Sequence, residues 1–189
     1  EGVKMVFLCS PNNPTGNALT ESRVREILEE TRAIVFLDEA YVEFAEKSLI
    51  DLVREHDNLV VGRTLSKAFG LAGLRLGYAV APEWVAREYR RVAPLFSISS
   101  PSLAAGVAAL QDLDWMSGRV RNIVQERDRM AESLHLDRSS QGNFLYIQTE
   151  EKARTVVDRL LRKGIIVRDC SSFPGCGNNC LRVTVGRPE

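Results

Sequence analysis

The chain has 189 residues, 44% of them hydrophobic, which suffices to bury a core in one large domain or two modest ones. Lysine plus arginine and aspartate plus glutamate number 25 each, so the formal charge is zero, and no run of one sign marks a tail for nucleic acid. The longest apolar stretches are strand-sized and the N-terminus lacks the regions of a signal peptide, which argues against a membrane span or export and places the chain in the cytoplasm.

In chain order, Met5 to Leu8, Ile34 to Leu37 and Leu59 to Val61 are short continuous apolar runs, the pattern of strands covered on both faces in a parallel sheet. Between the first two, Thr20 is placed to cap a helix carrying Val24, Ile27 and Leu28 at helical spacing, with Leu19 stapled onto Val24. A helix is predicted over Leu49 to Val53, then the strand to Gly62, a polar glycine-rich loop, and a further strand around Gly77 to Val80. Alternation of this kind gives an α/β layer architecture.

After Pro82 the pattern turns helical through Trp84 and Val85. Pro94 and Pro101 punctuate a turn before helices at about 102–113 and 118–136, the second carrying Val120, Ile123, Val124 and Met130 on one face. Phe144 begins a strand. A helix with Ala153, Val156, Val157, Leu160 and Leu161 follows and stops at Gly164, and strands are predicted at Ile165 to Arg168 and Leu181 to Val185. The expected organisation is a sheet domain to residue 98, a helical connection over 99–117 and a smaller α+β domain over 118–189. A chain that starts at Glu1 and runs directly into a buried-type strand, and that ends four residues after another, reads as a segment of a longer protein.

Four cysteines occur, at Cys9, Cys170, Cys176 and Cys180, without the C-x-x-C spacing of a metal site, and they read as reduced cysteines of an intracellular fold. His56 and His135 stand in no motif. No metal is expected.

The strongest chemical signal runs from Arg63 to Tyr78, where Lys67 follows a strand amid hydroxyls and glycines and Arg75 comes after it. Such a loop suits an amine that bonds an aldehyde beside a phosphate, because hydroxyls and a forked guanidinium satisfy phosphate oxygens while Gly70 and Gly73 admit close backbone approach. Taken alone it fits a solvated surface loop equally well. Upstream, Ser10-Pro11-Asn12-Asn13-Pro14-Thr15-Gly16 follows one apolar strand and Asp38-Glu39-Ala40-Tyr41 closes the next. A good turn and a helix cap explain each of these singly. Three consecutive strand ends bearing polar groups fit better with the ligand crevice of an open parallel sheet.

The asparagine turn, the aspartate-to-tyrosine step and the serine-lysine loop ending in arginine resemble the fold-type-I aminotransferases, and the similarity runs over essentially the whole chain. Within these, Thr64 to Arg75, Ile166 to Cys170 and Cys180 to Gly186 are most similar to the histidinol-phosphate aminotransferases. The resemblance implies pyridoxal 5'-phosphate as cofactor, with Lys67 holding it as a Schiff base and acting as the catalytic acid–base. Asp38 would pair with the pyridinium nitrogen, Asn13 and Tyr41 with the phenolic oxygen, and Thr64, Ser66 and Arg75 with the phosphate. Arg182 would take the substrate α-carboxylate and Arg168 a second anionic group. The implied reaction is ping-pong transamination from histidinol phosphate to 2-oxoglutarate in histidine biosynthesis, by a homodimer.

Members of the family also use upstream residues, namely a glycine-containing helix start at the phosphate, an aromatic stacked on the ring and a tyrosine from the partner subunit. This chain holds none of them, so on its own it is expected to be feeble or inactive. Two other readings compete: a threonine-phosphate decarboxylase on the same scaffold, and a regulatory domain that binds the cofactor without catalysis. Ala68-Phe69-Gly70 after the lysine favours the histidinol-phosphate branch.

Overall fold

A computed structural model describes residues 2–186. The first sheet has four strands in the order β1 (Met5–Cys9), β2 (Ile34–Asp38), β3 (Leu59–Thr64), β4 (Gly77–Val80). The first three pair in parallel and β4 runs antiparallel to β3. Helix α1 (Glu21–Glu30) makes the β1-to-β2 crossover, and Thr20 caps it by accepting from the Arg23 N–H. Its Val24 and Leu28 pack with Val35, Leu37, Leu59 and Val61 into one core, with Leu19 and Ile27 at the margin. Complete burial of such aliphatic side chains is worth roughly 1.5–3 kcal/mol each, so this layer anchors the sheet.

Coverage of the sheet departs from the expectation. Residues facing α1 are buried, but along β1 exposure alternates, with Met5 at 44% and Phe7 at 69%. The apolar runs predicted cover on both faces; β3 has it, with Leu59, Val60 and Val61 all buried, but the described elements leave one face of β1 open. Phe36 lies across β3 on the opposite face, where a Cβ on Gly62 would come within 2.4 Å of its ring. The helix predicted over Leu49 to Val53 is a 3-10 helix over Ile50–Arg54.

Beyond β4 come α2 (Glu83–Val92), α3 (Ser100–Gln111) and α4 (Leu113–Ser133). The last two abut at Asp112, whose side chain accepts from the Trp115 N–H, so α4 starts earlier than predicted. A second sheet has the order β5 (Phe144–Gln148), β7 (Cys180–Thr184), β6 (Arg168–Asp169), all antiparallel, with α5 (Ala153–Leu161) between β5 and β6. The strand predicted at Ile165 to Arg168 is corrected. Gly164, at φ +78°, closes α5, and the Ile165 N–H is consumed by the Leu160 carbonyl, so pairing begins only at Arg168. Ile165 and Ile166 stay exposed. A second core joins the two sheets through Tyr41, Phe44, Leu65, Phe69, Val120 and Phe144.

Candidate active site

Three polar segments leave the C-terminal ends of β1, β2 and β3. After β1, the Ser10 N–H donates to the Asp38 carbonyl at 3.0 Å and extends the pairing by one residue. The following turn is closed by Asn12, whose N–H reaches the Asn17 carbonyl and whose carbonyl accepts from Gly16. Asn12 Nδ2 also donates to Thr15 Oγ1 at 2.8 Å, and the Ser10–Pro11 and Asn13–Pro14 peptides are cis. Gly16 has φ +83°, and a Cβ there would lie 2.4 Å from Ser140 Oγ, in the segment that leads into β5. This turn displays Asn13, and Arg182 Nη1 of β7 donates to Asn13 Oδ1 at 2.5 Å.

At the end of β2, Asp38 Oδ1 accepts from the Ala40 N–H at 2.9 Å, which fixes the carboxylate. Tyr41 is buried, edge-on to Phe144 with ring centroids 5.1 Å apart. At the end of β3, Thr64 Oγ1 lies 2.9 Å from Ser66 Oγ, accepts from the Ser66 N–H and donates to the Leu76 carbonyl. Lys67 is exposed, and its Nζ stands 5.1 Å from the centre of the Tyr41 ring. Arg75 adopts φ 54°, and its guanidinium donates to the Ala72 carbonyl, not to the Thr64 and Ser66 hydroxyls. Gly77 lets β4 return against β3, since a Cβ there would meet the Arg63 carbonyl at 2.8 Å.

Arg182 also stacks over Phe144 at 5.2 Å, and its Nε is buried without a partner among the described residues. Arg168 is directly opposite Arg182 in the β6–β7 register, so both side chains leave the same face of the sheet. Arg168 is exposed and lies over Phe173 at 5.6 Å. The structure thus joins Asn13 to Arg182, Tyr41 to Lys67 and Thr64 to Ser66, with Asp38 at the neighbouring strand end. A cavity of about 750 Å³ lined by Asn17, Glu43, Phe44, Arg127 and Gln141 includes none of these residues.

Sequence reasoning passed over a buried network beside the site. Glu39 accepts from Arg63 and from the Leu49 N–H, and Ser48 bridges the pair. Burial works against the Arg63 cation, but the Tyr78 hydroxyl and the Glu39 carboxylate outweigh it and hold the guanidinium above its ordinary pKa. Glu43 is also raised, its carboxyl pushed up by burial, which in an acid disfavours the charged form. Cys9 is likewise raised, by burial and then by the Asp38 charge beside it. The only clue in the sequence was a second charge directly after Asp38 and a cation directly before Thr64. Arg127 was missed too; it is buried and donates to the Gly142 carbonyl at 3.1 Å.

Parallel strand ends bearing a lysine loop, an aspartate and an asparagine-bound arginine give this chain the α/β arrangement of fold type I. The chain matches the family described as Aminotransferase class I and II over residues 1–189, and it belongs to that family. The histidinol-phosphate aminotransferase of Methanosarcina barkeri is 52% identical over 188 residues, which cover 98% of this chain and 51% of that protein. The chain spans about half the length of the curated relatives it matches. Among solved structures, the histidinol-phosphate aminotransferase from Clostridium acetobutylicum superposes with TM-score 0.91 at 23% identity, over 98% of this chain and 60% of that one, a likeness of fold. That from Sinorhizobium meliloti, in complex with pyridoxal-5'-phosphate, gives TM-score 0.87 at 30% identity over 98% and 53%. Among the described residues no helix is long and apolar enough to cross a membrane.

Proposed function

We propose that the intact protein carrying this chain transfers the amino group of histidinol phosphate to 2-oxoglutarate, using pyridoxal 5'-phosphate. The observation that carries this reading is the pairing of Arg168 with Arg182 across β6 and β7, because two guanidiniums on one face suit a doubly charged phosphate in one half-reaction and the two carboxylates of 2-oxoglutarate in the other. The half-length match to relatives of that name supports it.

The residues present fit the cofactor. An amine without a hydrogen bond to any described residue stands beside a tyrosine ring, two hydroxyls lie at the head of its loop, and a fixed carboxylate closes the adjacent strand. The orphaned Nε of Arg182 is a donor that awaits an acceptor, as a carboxylate site requires. When bound, pyridoxal phosphate supplies an aldehyde that joins amines and a ring that takes up electrons from the substrate α-carbon. Asp38 would keep the ring nitrogen protonated by charge attraction. Asn13 and Tyr41 would hold the phenolic oxygen, and Thr64, Ser66 and Arg75 the phosphate. Arg75 must first exchange its bond to the Ala72 carbonyl for one to phosphate. Arg182, aimed by Asn13, would orient the α-carboxylate, and Lys67 Nζ would take the α-proton and return it as a general acid–base. A cytoplasmic homodimer is the setting this reading implies.

The test is an assay of the intact protein with histidinol phosphate and 2-oxoglutarate. Glutamate formation is the expected outcome. Carbon dioxide release from threonine phosphate without glutamate formation would overturn the reading in favour of a decarboxylase, and cofactor binding with neither reaction would favour a regulatory domain.

A further inference from the structure

Glu39 is more deeply buried than any other charged side chain among the described residues, at 1% exposure. A carboxylate out of water is tolerated only when it is paired and its lone pairs are used. Here both conditions hold. Glu39 Oε2 accepts from Arg63 Nε at 3.0 Å and Nη2 at 2.8 Å, and Oε1 accepts from the Leu49 N–H at 2.7 Å. Ser48 Oγ lies 2.9 Å from Oε2 and accepts from Arg63 Nη2 at 2.6 Å. Tyr78 is the register partner of Arg63 on β4, so the two side chains leave the same face of the sheet.

The position of this network matters more than its strength. Glu39 directly follows Asp38, and Arg63 directly precedes Thr64, from which the chain runs through Ser66 to Lys67. The regular β2–β3 ladder ends at Asp38 and Gly62. One more backbone bond, Glu39 N–H to the Gly62 carbonyl at 2.9 Å, carries it to the ion pair. The side chains then continue the connection where the backbone ladder stops. Buried ion pairs commonly give no net stability over apolar residues of similar volume. What a forked guanidinium and a carboxylate add is a fixed distance and angle.

We infer that Glu39 and Arg63 are a positioning pair, which locks the end of β2 bearing Asp38 to the end of β3 leading to Lys67. The inference rests on the transaminase reading above. Neither residue touches substrate or cofactor; each acts through its neighbour. Misplacement of reacting groups by about 1 Å costs on the order of a hundredfold in rate, so loss of the lock should appear in turnover more than in substrate binding.

The experiment uses the intact protein. Borohydride trapping of pyridoxal phosphate on wild-type Lys67 comes first, and its failure would count against the transaminase reading, not specifically against the pair. Three variants are then compared with wild type: Glu39→Gln, a Glu39→Met/Arg63→Met double, and Ser48→Ala. The apolar double, which leaves the Leu49 N–H without its acceptor, should melt several degrees below wild type, stay folded at the assay temperature, and lose roughly 10- to 100-fold in kcat with KM for histidinol phosphate changed less than about threefold. The pH midpoint of the bound cofactor's absorbance change should move in the same variants. A double variant that keeps both wild-type kcat and the wild-type midpoint would overturn the inference. If the Glu39 variants do not fold, Ser48→Ala carries the same two readings: kcat reduced a few-fold with KM held supports the pair, and unchanged values reject it.

Discussion

Arg182 Nη1 donates to Asn13 Oδ1 at 2.5 Å, joining a strand of the second sheet to the turn after β1, 169 residues away. A single bond thereby sets the cation proposed for the substrate against the residue proposed for the cofactor's phenolic oxygen. Lysine keeps the charge of arginine but offers no planar fork to hold Asn13 and a carboxylate together. Arg182→Lys is expected to raise KM for 2-oxoglutarate by roughly 10- to 100-fold with a smaller change in kcat, measured by steady-state kinetics. An unchanged KM would remove Arg182 from carboxylate binding.

Lys67 has no hydrogen-bond partner among the described residues, and its Nζ stands 5.1 Å from the centre of the Tyr41 ring. Removing it should therefore leave the surrounding loop intact. Lys67→Ala in the intact protein is expected to abolish transamination, a loss of at least about 10³-fold, while some cofactor affinity persists. Mass spectrometry after borohydride reduction should find the pyridoxyl adduct at this position in wild type and none in the variant.

Gly16 combines φ +83° with contact against Ser140, so an alanine there meets both backbone strain and a clash. Ser140 has little room to withdraw, because its Oγ is held by the Phe144 carbonyl at 2.6 Å. Gly16→Ala is expected to destabilise the protein by about 2–4 kcal/mol, read from denaturant unfolding. Cofactor affinity should fall with it, since the same turn presents Asn13.

Glu43 predicts a pH effect with a definite sign. Burial raises its carboxyl above the ordinary value, so the folded state binds this proton more tightly than the unfolded state does. Its stabilising contribution is greatest below the ordinary glutamate value of about 4.3 and is lost as pH rises through the raised folded value. Glu43 Oε2 is also buried without a partner among the described residues. Glu43→Gln should melt higher than wild type at about pH 7, and the difference should close by about pH 3. A difference that widens toward acid would contradict the assignment.

Much of this arrangement was legible in the sequence because its signals are local. Apolar runs marked β1, β2 and β3, Thr20 marked the start of α1, and Asp38 and Lys67 declared themselves by standing at, or within a few residues of, strand ends. What periodicity carries poorly is pairing at a distance. Glu39 and Arg63 are 24 residues apart, and nothing in either segment names the other. Ile165 and Ile166 read as strand from composition, but the hydrogen bonding that closes α5 had already claimed the Ile165 N–H. The open face of β1 escaped for another reason: a continuous apolar run states what a strand prefers to touch, not what is there to touch it. The cation opposite Arg182 followed from resemblance, and its placement by register came only from the fold.

The return of β4 against β3 has a consequence for how this region tolerates change. The Leu65 N–H is bound to the Leu76 carbonyl, and Leu71 reaches back to Leu65, so the segment is a cassette clipped at both ends. Deleting one residue inside it would drag the remainder by up to about 3.8 Å, whereas exchanging the exposed Ala72 or Gly73 leaves the path length intact. Evolutionary drift should therefore be freer in the chemistry of its outer rim than in its number of residues.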